Sequence, residues 1–414
     1  MRPLTGIKVL EFCQVLSGPF CGMLMADLGA DVIKLERPPL GDSSRYNAPG
    51  RDGVSGSYSY RNKGKRSVLM DLADPRQRAL FYEMVKDADV VLENYKPGTL
   101  EKYNCGYEDL KKIKPDIILT SLSGFGQTGP NRNRAAYDTL IQAESGLLSV
   151  TGTKDGKILS SVGYSITDTI AGYSAFGATL AALLGRMHTG EGAHVDVSMQ
   201  DATLITMDQV YEKYHIDGEI AGPLGVGNPL AAPFSDYEVK GGKRLVICVT
   251  TEPQWEKFCK VVGLEELVHD PRFASRGLRK KNEDELNTYI IPRLKEMEEE
   301  EVVAGLDRER VTYGHINNLA DVVNSEHFKA RNLQAYVTYP DKDVTIPITA
   351  NSIKMTGMED QRDYVAYSLG YNTFEVLGKY ADEAALHDIY DSVMEESRKA
   401  AEESQIKGGI LKKN

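Results

Sequence analysis

The part of the chain before about residue 125 alternates short apolar runs with segments of helical character. The apolar runs predict strands at residues 7–12, 31–36, 89–93 and 116–122. Helical patterns lie between them, at residues 21–28, 77–87 and 107–113. This alternation indicates βαβ units, in which helices cover a mainly parallel sheet. Ligands of such sheets bind at the carboxyl ends of the strands.

The later sequence predicts more helices and then a different kind of fold. The predicted elements are helices at 137–146 and 168–187, a strand at 194–198 and a helix at 199–215. A hairpin is predicted around the Gly241-Gly242 turn, with strands at 234–239 and 244–250. Helices at 253–262 and 283–304 follow, the second ended by Gly305, and residues 335–353 are rich in strand pattern.

We therefore predict an α/β protein with two domains, because 414 residues exceed one ordinary core. A large Rossmann-like domain with a mainly parallel sheet begins in residues 1–217. Residues 218–227 form a glycine-rich linker, and residues 228–330 form a smaller α+β domain. Residues 331–414 return to the large domain and contain the C-terminal helices.

Composition narrows the function classes. The chain is 41% hydrophobic and 26% charged, as in globular proteins, and its net charge of −11 argues against nucleic acid or anionic membrane as a main partner. The five scattered cysteines form no C-x-x-C pair, which predicts reduced thiols in a cytoplasmic protein. The N-terminus enters a strand pattern at once, so no signal peptide is expected, and no apolar run reaches membrane-spanning length.

Several familiar catalytic patterns are missing or incomplete. Residues 124–129 match G-x-G-x-x-G, but Pro130 and a polar run follow where a dinucleotide site needs a helix to begin, so the stretch predicts a loop at the sheet's carboxyl edge. No histidine cluster has metal-ligand spacing, and no G-x-S-x-G nucleophile elbow occurs. Trp255, the only tryptophan, is interpreted as a packing residue.

The basic segment 61–66, with Arg37 and Arg45 before it, has two interpretations. Charged runs are usually solvated surface. These residues also lie at or just past predicted strand ends, where a phosphate-bearing ligand would meet arginine and lysine donors. The sequence leaves both open.

Asp168 is the most informative residue. It is a lone carboxylate ahead of about twenty small or apolar residues that predict a buried helix. One interpretation is a helix cap, for which Asp is preferred. The other is a carboxylate nucleophile whose pKa the helix start lowers. Tyr137 and Asp138 also resemble a helix start, with structural and functional interpretations equally open.

A series of short segments, in their order and spacing, is the strongest sequence evidence for the function. They are residues 4–12, 17–19, 28–37, 41–42, 62–67, 91–98, 123–130, 136–138, 142–143, 145–146, 168 and 190–198. With these segments the chain resembles the family III CoA-transferases (the CaiB/BaiF family) over essentially its whole length.

The resemblance implies an interlocked homodimer of ring-like subunits. It also implies an acyl-CoA donor and a carboxylic acid acceptor, with coenzyme A as co-substrate and no metal. Asp168 falls where the family keeps its catalytic aspartate. In the implied mechanism this aspartate attacks the donor thioester, passes through an anhydride to an aspartyl-CoA thioester, and the acceptor carboxylate then takes the CoA.

The resemblance also carries over CoA-binding positions. Leu16 stands where some members have glutamine, and Lys102 where some have arginine. The glycine-rich loop of oxalate-using formyl-CoA transferases is not evident at residues 222–228, which removes the main ground for an oxalate substrate. The implied CoA-binding residues are Val15, Leu16, Ser17, Arg37, Met70, Asp71, Leu72, Asn94, Tyr95, Lys96, Lys102, Ala136, Tyr137 and Asp138.

Two other functions remain to be weighed. An α-methylacyl-CoA racemase of the same fold would exchange an α-proton through a histidine and an aspartate, but that histidine aligns with Tyr137. A phenol, with an ordinary pKa of about 10, is a poor general base at neutral pH. A CoA-binding protein without activity would not need Asp168. The transferase is therefore the preferred prediction.

Overall fold

The computed structural model describes residues 2–410, so the last four residues of the predicted C-terminal segment lie outside the described part. The chain forms two compact units. The larger contains the residues up to Leu147, Val162–Tyr211 and the residues from His327 onward. The smaller contains Leu148–Ser161 and Glu212–Glu326.

The strands are, in chain order, β1 (Lys8–Phe12), β2 (Asp31–Glu36), β3 (Gly50–Arg51), β4 (Val54–Ser55), β5 (Arg66–Leu69), β6 (Val90–Glu93), β7 (Ile118–Ser123), β8 (Ala193–Ser198), β9 (Phe234–Glu238), β10 (Arg244–Cys248), β11 (Thr312–His315), β12 (Gln334–Tyr339), β13 (Lys342–Thr349) and β14 (Asp363–Val365). The α-helices are α1 (Ser17–Asp27), α2 (Gly56–Asn62), α3 (Pro75–Lys86), α4 (Tyr107–Ile113), α5 (Asp138–Glu144), α6 (Ile166–Thr189), α7 (Met199–Leu204), α8 (Asp208–Glu212), α9 (Glu252–Val262), α10 (Arg276–Lys281), α11 (Glu283–Glu296), α12 (Glu299–Glu309), α13 (Leu319–Asn324), α14 (Glu326–Arg331), α15 (Thr373–Leu377) and α16 (Glu383–Lys407).

The larger unit is built on a six-stranded sheet with the order β5-β2-β1-β6-β7-β8, and all neighbouring strands are parallel. The predicted parallel sheet is confirmed. Strand β5 was missed, because Arg66-Ser-Val-Leu is short and follows a basic run. A separate sheet has the order β13-β12-β14; β12 and β13 lie in the region predicted to be rich in strands, whereas β14 lies beyond it.

Alternate side chains of the central strands enter two different cores. Val9 of β1 packs with α1 and α6, whereas its neighbour Leu10 packs with α3, α4, α15 and α16. Because strand side chains alternate between faces, helices cover both sides of this sheet. No helix in residues 2–410 is long and apolar enough to cross a membrane.

The smaller unit contains the antiparallel sheet β11-β10-β9, which confirms the predicted hairpin. Trp255 of α9 is 2% exposed in its core, as expected of a packing residue. The predicted helix 283–304 is wrong: the chain breaks at Met297 between α11 and α12. Gly305 does not end the helix but lies inside α12, where a Cβ would come within 2.7 Å of Val261; the helix ends at Glu309, with Arg310 as its C-cap.

The predicted helix 199–215 is also interrupted. Helix α7 ends at Leu204, α8 begins at Asp208, and a π-helical segment covers Lys213–Asp217. At the break, the Thr206 hydroxyl donates to the Thr203 carbonyl at 2.7 Å. Such side-chain bonds to the backbone compete with a continuous helix, which periodicity alone does not reveal.

Candidate active site

The first turn of α6 is held by a carboxylate from another helix. Oδ1 of Asp138, at the start of α5, accepts hydrogen bonds from the N–H and the hydroxyl of Thr167, both at 2.8 Å, and from the Asp168 N–H at 3.3 Å. Ser165, at the N-cap position, makes no side-chain capping bond. Asp138 therefore supplies the acceptor that a helix start needs.

Asp168 is the third residue of α6 and does not cap it, so the cap interpretation is wrong for this residue. Its side chain is half-buried and lines a cleft in the larger unit. Nearby, Gln142 is almost fully buried; its amide donates to Oδ2 of Asp138 at 2.6 Å and accepts the Val162 N–H at 2.9 Å. The two aspartates thus have separate tasks: Asp138 organises the turn, and Asp168 faces the cleft.

The electrostatics of Asp168 differ from the sequence-based expectation. Burial and, secondly, the charge of Asp138 raise its pKa to about 6, against a hydrogen bond from the Ser17 hydroxyl and the charge of Arg61, which lower it. The expected lowering of this pKa by the helix start is therefore wrong in sign. A carboxylate with such a pKa is still mostly ionised at neutral pH, yet it is less stabilised by solvent than an ordinary aspartate.

The cleft has a volume of about 360 Å³ and brings together most of the predicted site residues. Arg132 and Arg134, which sequence reasoning treated only as part of a polar run, also line it. The predicted residues that line it are Val15, Leu16, Ser17, Asn94, Tyr95, Lys96, Ala136, Tyr137 and Asp168.

Gly124 and Ala136 line the same cleft and pack closely against each other. A Cβ on Gly124 would lie 2.1 Å from the Ala136 Cβ, so only glycine fits there. Residue Gly124 directly follows β7, and no helix starts between it and α5, which agrees with the predicted loop rather than a dinucleotide site. Tyr137, which follows Ala136, is 77% exposed.

The profile of CoA-transferase family III matches residues 4–373, nearly the whole chain. The chain belongs to CoA-transferase family III. This confirms the resemblance stated above and makes the protein an acyl-CoA:carboxylate CoA-transferase.

Known members of the family resemble the chain over most of their length. It is 35% identical to the acetyl-CoA:oxalate CoA-transferase of Acetobacter aceti, over 87% of this chain and 91% of that protein. It is 35% identical to the succinyl-CoA:glutarate CoA-transferase of Mus musculus, over 82% of this chain and 78% of that protein. The crystal structure of a CaiB/BaiF family protein from Brucella suis matches with a TM-score of 0.79 and 32% identity, covering 91% of this chain and 99% of that one.

The remaining predicted CoA contacts of this family member lie outside the cleft. Arg37 follows β2 and is exposed, with its Nε 3.7 Å from Oδ1 of Asp71. Met70 and Leu72 follow β5, but their side chains are buried in the core, so only their backbone is available to a ligand. Lys102 is exposed, with its Nζ 5.4 Å from the centre of the Tyr103 ring.

The basic segment is neither solvated surface nor a phosphate site at its central positions. Lys63 and Lys65 are buried and form ion pairs with Asp27 (3.1 Å) and Glu11 (2.8 Å). Buried charges need such partners. In the same way, Arg45 is buried and forms an ion pair with Glu36 at 2.5 Å.

Arg61 is the member of that segment that acts on the site. Burial lowers the pKa of Arg61, and the charge of Asp168 opposes that shift, so Arg61 and Asp168 interact electrostatically. Its guanidinium donates to the Ser57 hydroxyl at 2.6 Å. The sequence left Arg61 between solvated surface and a phosphate donor, because nothing in the linear pattern placed α2 near α6. Among residues 2–410, no group of three or more metal-ligand side chains is placed to hold a metal ion.

Proposed function

We propose that Asp168 carries CoA from the acyl-CoA donor to the acceptor acid as an aspartyl thioester. The observation that supports this most directly is the division of labour at α6: Asp138 caps the helix, which leaves the half-buried Asp168 carboxylate available in the cleft. Its pKa of about 6 keeps it ionised near neutrality while burial makes it more reactive than a solvated carboxylate.

The proposed reaction exchanges a carboxylate and a thiolate at acyl carbons. An Asp168 oxygen attacks the donor thioester carbonyl, the C–S bond breaks, and a mixed anhydride and CoA thiolate result. The thiolate attacks the Asp168 carbonyl carbon, expelling the donor as its carboxylate and leaving aspartyl-CoA. The acceptor carboxylate then attacks this thioester, and the released thiolate takes the acceptor's acyl group from the second anhydride. Asp168 is regenerated, and no external energy source is consumed.

An extended CoA would lie along the carboxyl edge of the sheet. The predicted contacts follow neighbouring strands in the order β5, β2, β1 and β6, and those at 136–138 lie beyond β7. Open parallel sheets bind ligands at this edge. We place the nucleotide end near Arg37 and Asp71, with backbone contacts at Met70 and Leu72, and the thiol end near Tyr137 and Asp168. Lys96 and Lys102 would add positive charge along the way.

We further propose a short dicarboxylate as the acceptor. The relatives named above act on oxalate and glutarate, and a third, from Haloarcula hispanica and 34% identical, is a succinyl-CoA:mesaconate CoA-transferase. Arg132 and Arg134 give the cleft two guanidinium groups that suit a second carboxylate. Arg134 also forms an ion pair with Glu144 at 2.5 Å. Arg132 is therefore the more available of the two to bind the acceptor's second carboxylate.

The interlocked homodimer and a cytoplasmic location complete the proposal. Tyr173, Leu184 and Met187 of α6 are 44%, 57% and 80% exposed, an apolar surface that a second copy would cover. Light scattering and cross-linking of the purified protein would establish the subunit count. A monomer at working concentration would contradict the dimer.

The test of the mechanism is to incubate the purified protein with succinyl-CoA or acetyl-CoA and a panel of dicarboxylates, and to measure the new acyl-CoA. Wild type should form product and, without acceptor, a CoA adduct on the peptide that contains Asp168. Asp168→Ala should lose both, whereas Asp201→Ala, an exposed aspartate in the first turn of α7, should retain both. Full transfer by Asp168→Ala would overturn the mechanism, and α-proton exchange on a chiral acyl-CoA without acceptor would indicate a racemase.

A further inference from the structure

The loop between β1 and α1 contains a backbone conformation that its sequence disfavours. Val15 has a φ of 65°, in the left-handed region, where a β-branched residue is an outlier. Val15 also lines the Asp168 cleft. Such conformations persist only where the surrounding structure enforces them, and they cluster at functional sites.

The side chains of Asp42 and Asn94 hydrogen-bond to the backbone of this loop. The Val15 N–H donates to Oδ1 of Asp42 at 3.0 Å. At the preceding residue, the Gln14 N–H donates to Oδ1 of Asn94 at 2.8 Å, and the Asn94 amide returns a bond to the Gln14 carbonyl at 2.9 Å. Asn94 therefore fixes the approach to Val15, and Asp42 fixes Val15 itself.

Asp42 is built into a buried charge network. It is 1% exposed; Oδ1 also accepts the Ser44 N–H at 2.9 Å, and Oδ2 forms an ion pair with Lys34 at 3.0 Å. Lys34 is itself fully buried and donates to the Cys13 carbonyl, at the start of the same loop, at 2.7 Å. Burial alone would raise the pKa of Asp42, but Lys34 and the two backbone donors lower it to about 2, so the acceptor is permanently charged.

The loop ends at Ser17, which begins α1 and lines the same cleft as Val15 and Asp168. The Ser17 hydroxyl opposes the rise in the pKa of Asp168. The Asn94 amide donates to the same hydroxyl at 3.4 Å. Because Ser17 lies two positions after Val15, a change in the backbone at Val15 would move Ser17 relative to the Asp168 carboxylate.

We propose that Asp42 is a positioning residue for CoA transfer, which holds Val15 in the left-handed conformation and so keeps Ser17 in place in the cleft that Asp168 also lines. This rests on the proposed role of Asp168. It also assigns a role to Asp42, which belongs to the family segment Gly41-Asp42 but is not among the predicted CoA contacts.

The first test compares Asp42→Ala with a matched control in the same unit. Asp27 is also a buried carboxylate paired with a buried lysine, at 3.1 Å from Lys63, but it lies at the far end of α1, about 15 Å along the helix from Ser17. We expect both variants to lose thermal stability. Only Asp42→Ala should lose kcat, by about 10- to 100-fold at saturating substrate. Equal losses of kcat in both variants would overturn the proposal.

The second test asks whether the backbone conformation at Val15 is what Asp42 controls. Glycine adopts positive φ without steric cost, so Val15→Gly should be more favourable for kcat in the Asp42→Ala background than in wild type, by about threefold or more. A purely structural role for Asp42 predicts the same effect in both backgrounds, which would contradict us.

A third test uses a variant at Val15 and therefore remains informative even if the Asp42 variants fail to fold. Val15→Pro fixes φ near −65° and removes the N–H that Asp42 accepts, so kcat should fall by about tenfold or more. Wild-type kcat in Val15→Pro would overturn the proposal. The two proposals fail separately: an active Asp168→Ala refutes the nucleophile, whereas an inactive Asp168→Ala with a fully active Asp42→Ala refutes only the positioning role.

Discussion

Asp138 accepts the backbone N–H of Asp168 at 3.3 Å with the same oxygen that accepts the N–H and the hydroxyl of Thr167. One carboxylate thus organises the turn that presents another. The charge of Asp138 also raises the pKa of Asp168, after burial. The capping of α6 and the pKa of Asp168 are therefore coupled through these two residues.

Replacing Asp138 by Asn should move the acid limb of the kcat profile to lower pH. Asn keeps an oxygen for the Thr167 donors but removes the negative charge that raises the pKa of Asp168, so this pKa should fall by on the order of 0.5 unit. The measurement is kcat at saturating substrate between about pH 4.5 and about pH 8, a range that spans the Asp168 pKa. An upward shift would contradict the coupling.

Asp138→Ala serves as the comparison, because it also removes the acceptor. Loss of a helix cap typically costs about 1 kcal/mol, so this variant should be less stable than Asp138→Asn to urea. If both variants were equally stable, the oxygen at position 138 would not be capping α6.

Replacing Arg61 by Met should shift the same limb in the opposite direction. The positive charge of Arg61 lowers the pKa of Asp168, so its removal should raise that pKa and require higher pH for full activity. Arg61→Lys keeps the charge and should stay closer to wild type. A downward shift in Arg61→Met, or the same shift in Arg61→Lys, would show that the charge is not the cause.

The sequence was a good guide to the parallel sheet and to the family. Short strands such as residues 90–93 contain apolar runs, and their alternation with helices implies a parallel sheet, a kind of sheet that binds ligands at its carboxyl edge. Family segments then located Asp168 by its place in the order. These features depend on local pattern and on chain order.

The electrostatics of the site could not be predicted in the same way. Asp138 and Asp168 are thirty residues apart, and only the packing of α5 against α6 makes one the cap of the other's helix. Likewise, a basic run gives no sign that Lys63 and Lys65 are buried with acidic partners while Arg61 acts on Asp168. The sign of a pKa shift depends on such neighbours in space.

Gly124→Ala should impair catalysis through the cleft wall. The added Cβ would lie 2.1 Å from the Ala136 Cβ, so the segment that leads to Tyr137 and Asp138 must shift. We expect kcat to fall by about tenfold or more, since small displacements at a reacting centre are costly. Gly277→Ala, where a Cβ would meet no atom within 4 Å, should retain wild-type kcat. An active Gly124→Ala would show that this contact does not position the site.

Asp168→Asn should be more stable than wild type near pH 7.5, although it is inactive. The folded-state pKa of Asp168 is about 6, above the value of about 3.9 for an unfolded aspartate, so the folded chain binds this proton more tightly. Its contribution to stability is therefore fully present below about pH 4 and is lost as pH rises towards about 6. Above that pH the ionised group costs on the order of 2 kcal/mol, which Asn avoids.

The check is the free energy of unfolding of both proteins, without substrate, at about pH 4 and about pH 7.5, since other groups cancel in the difference. The advantage of Asp168→Asn should be seen at the higher pH and vanish at the lower one. Asp201→Asn, at an exposed position in the same unit, is the comparison variant for the substitution itself. A pH-independent difference for Asp168→Asn would mean that ionised Asp168 does not destabilise the folded protein. Active-site groups often reduce stability in this way.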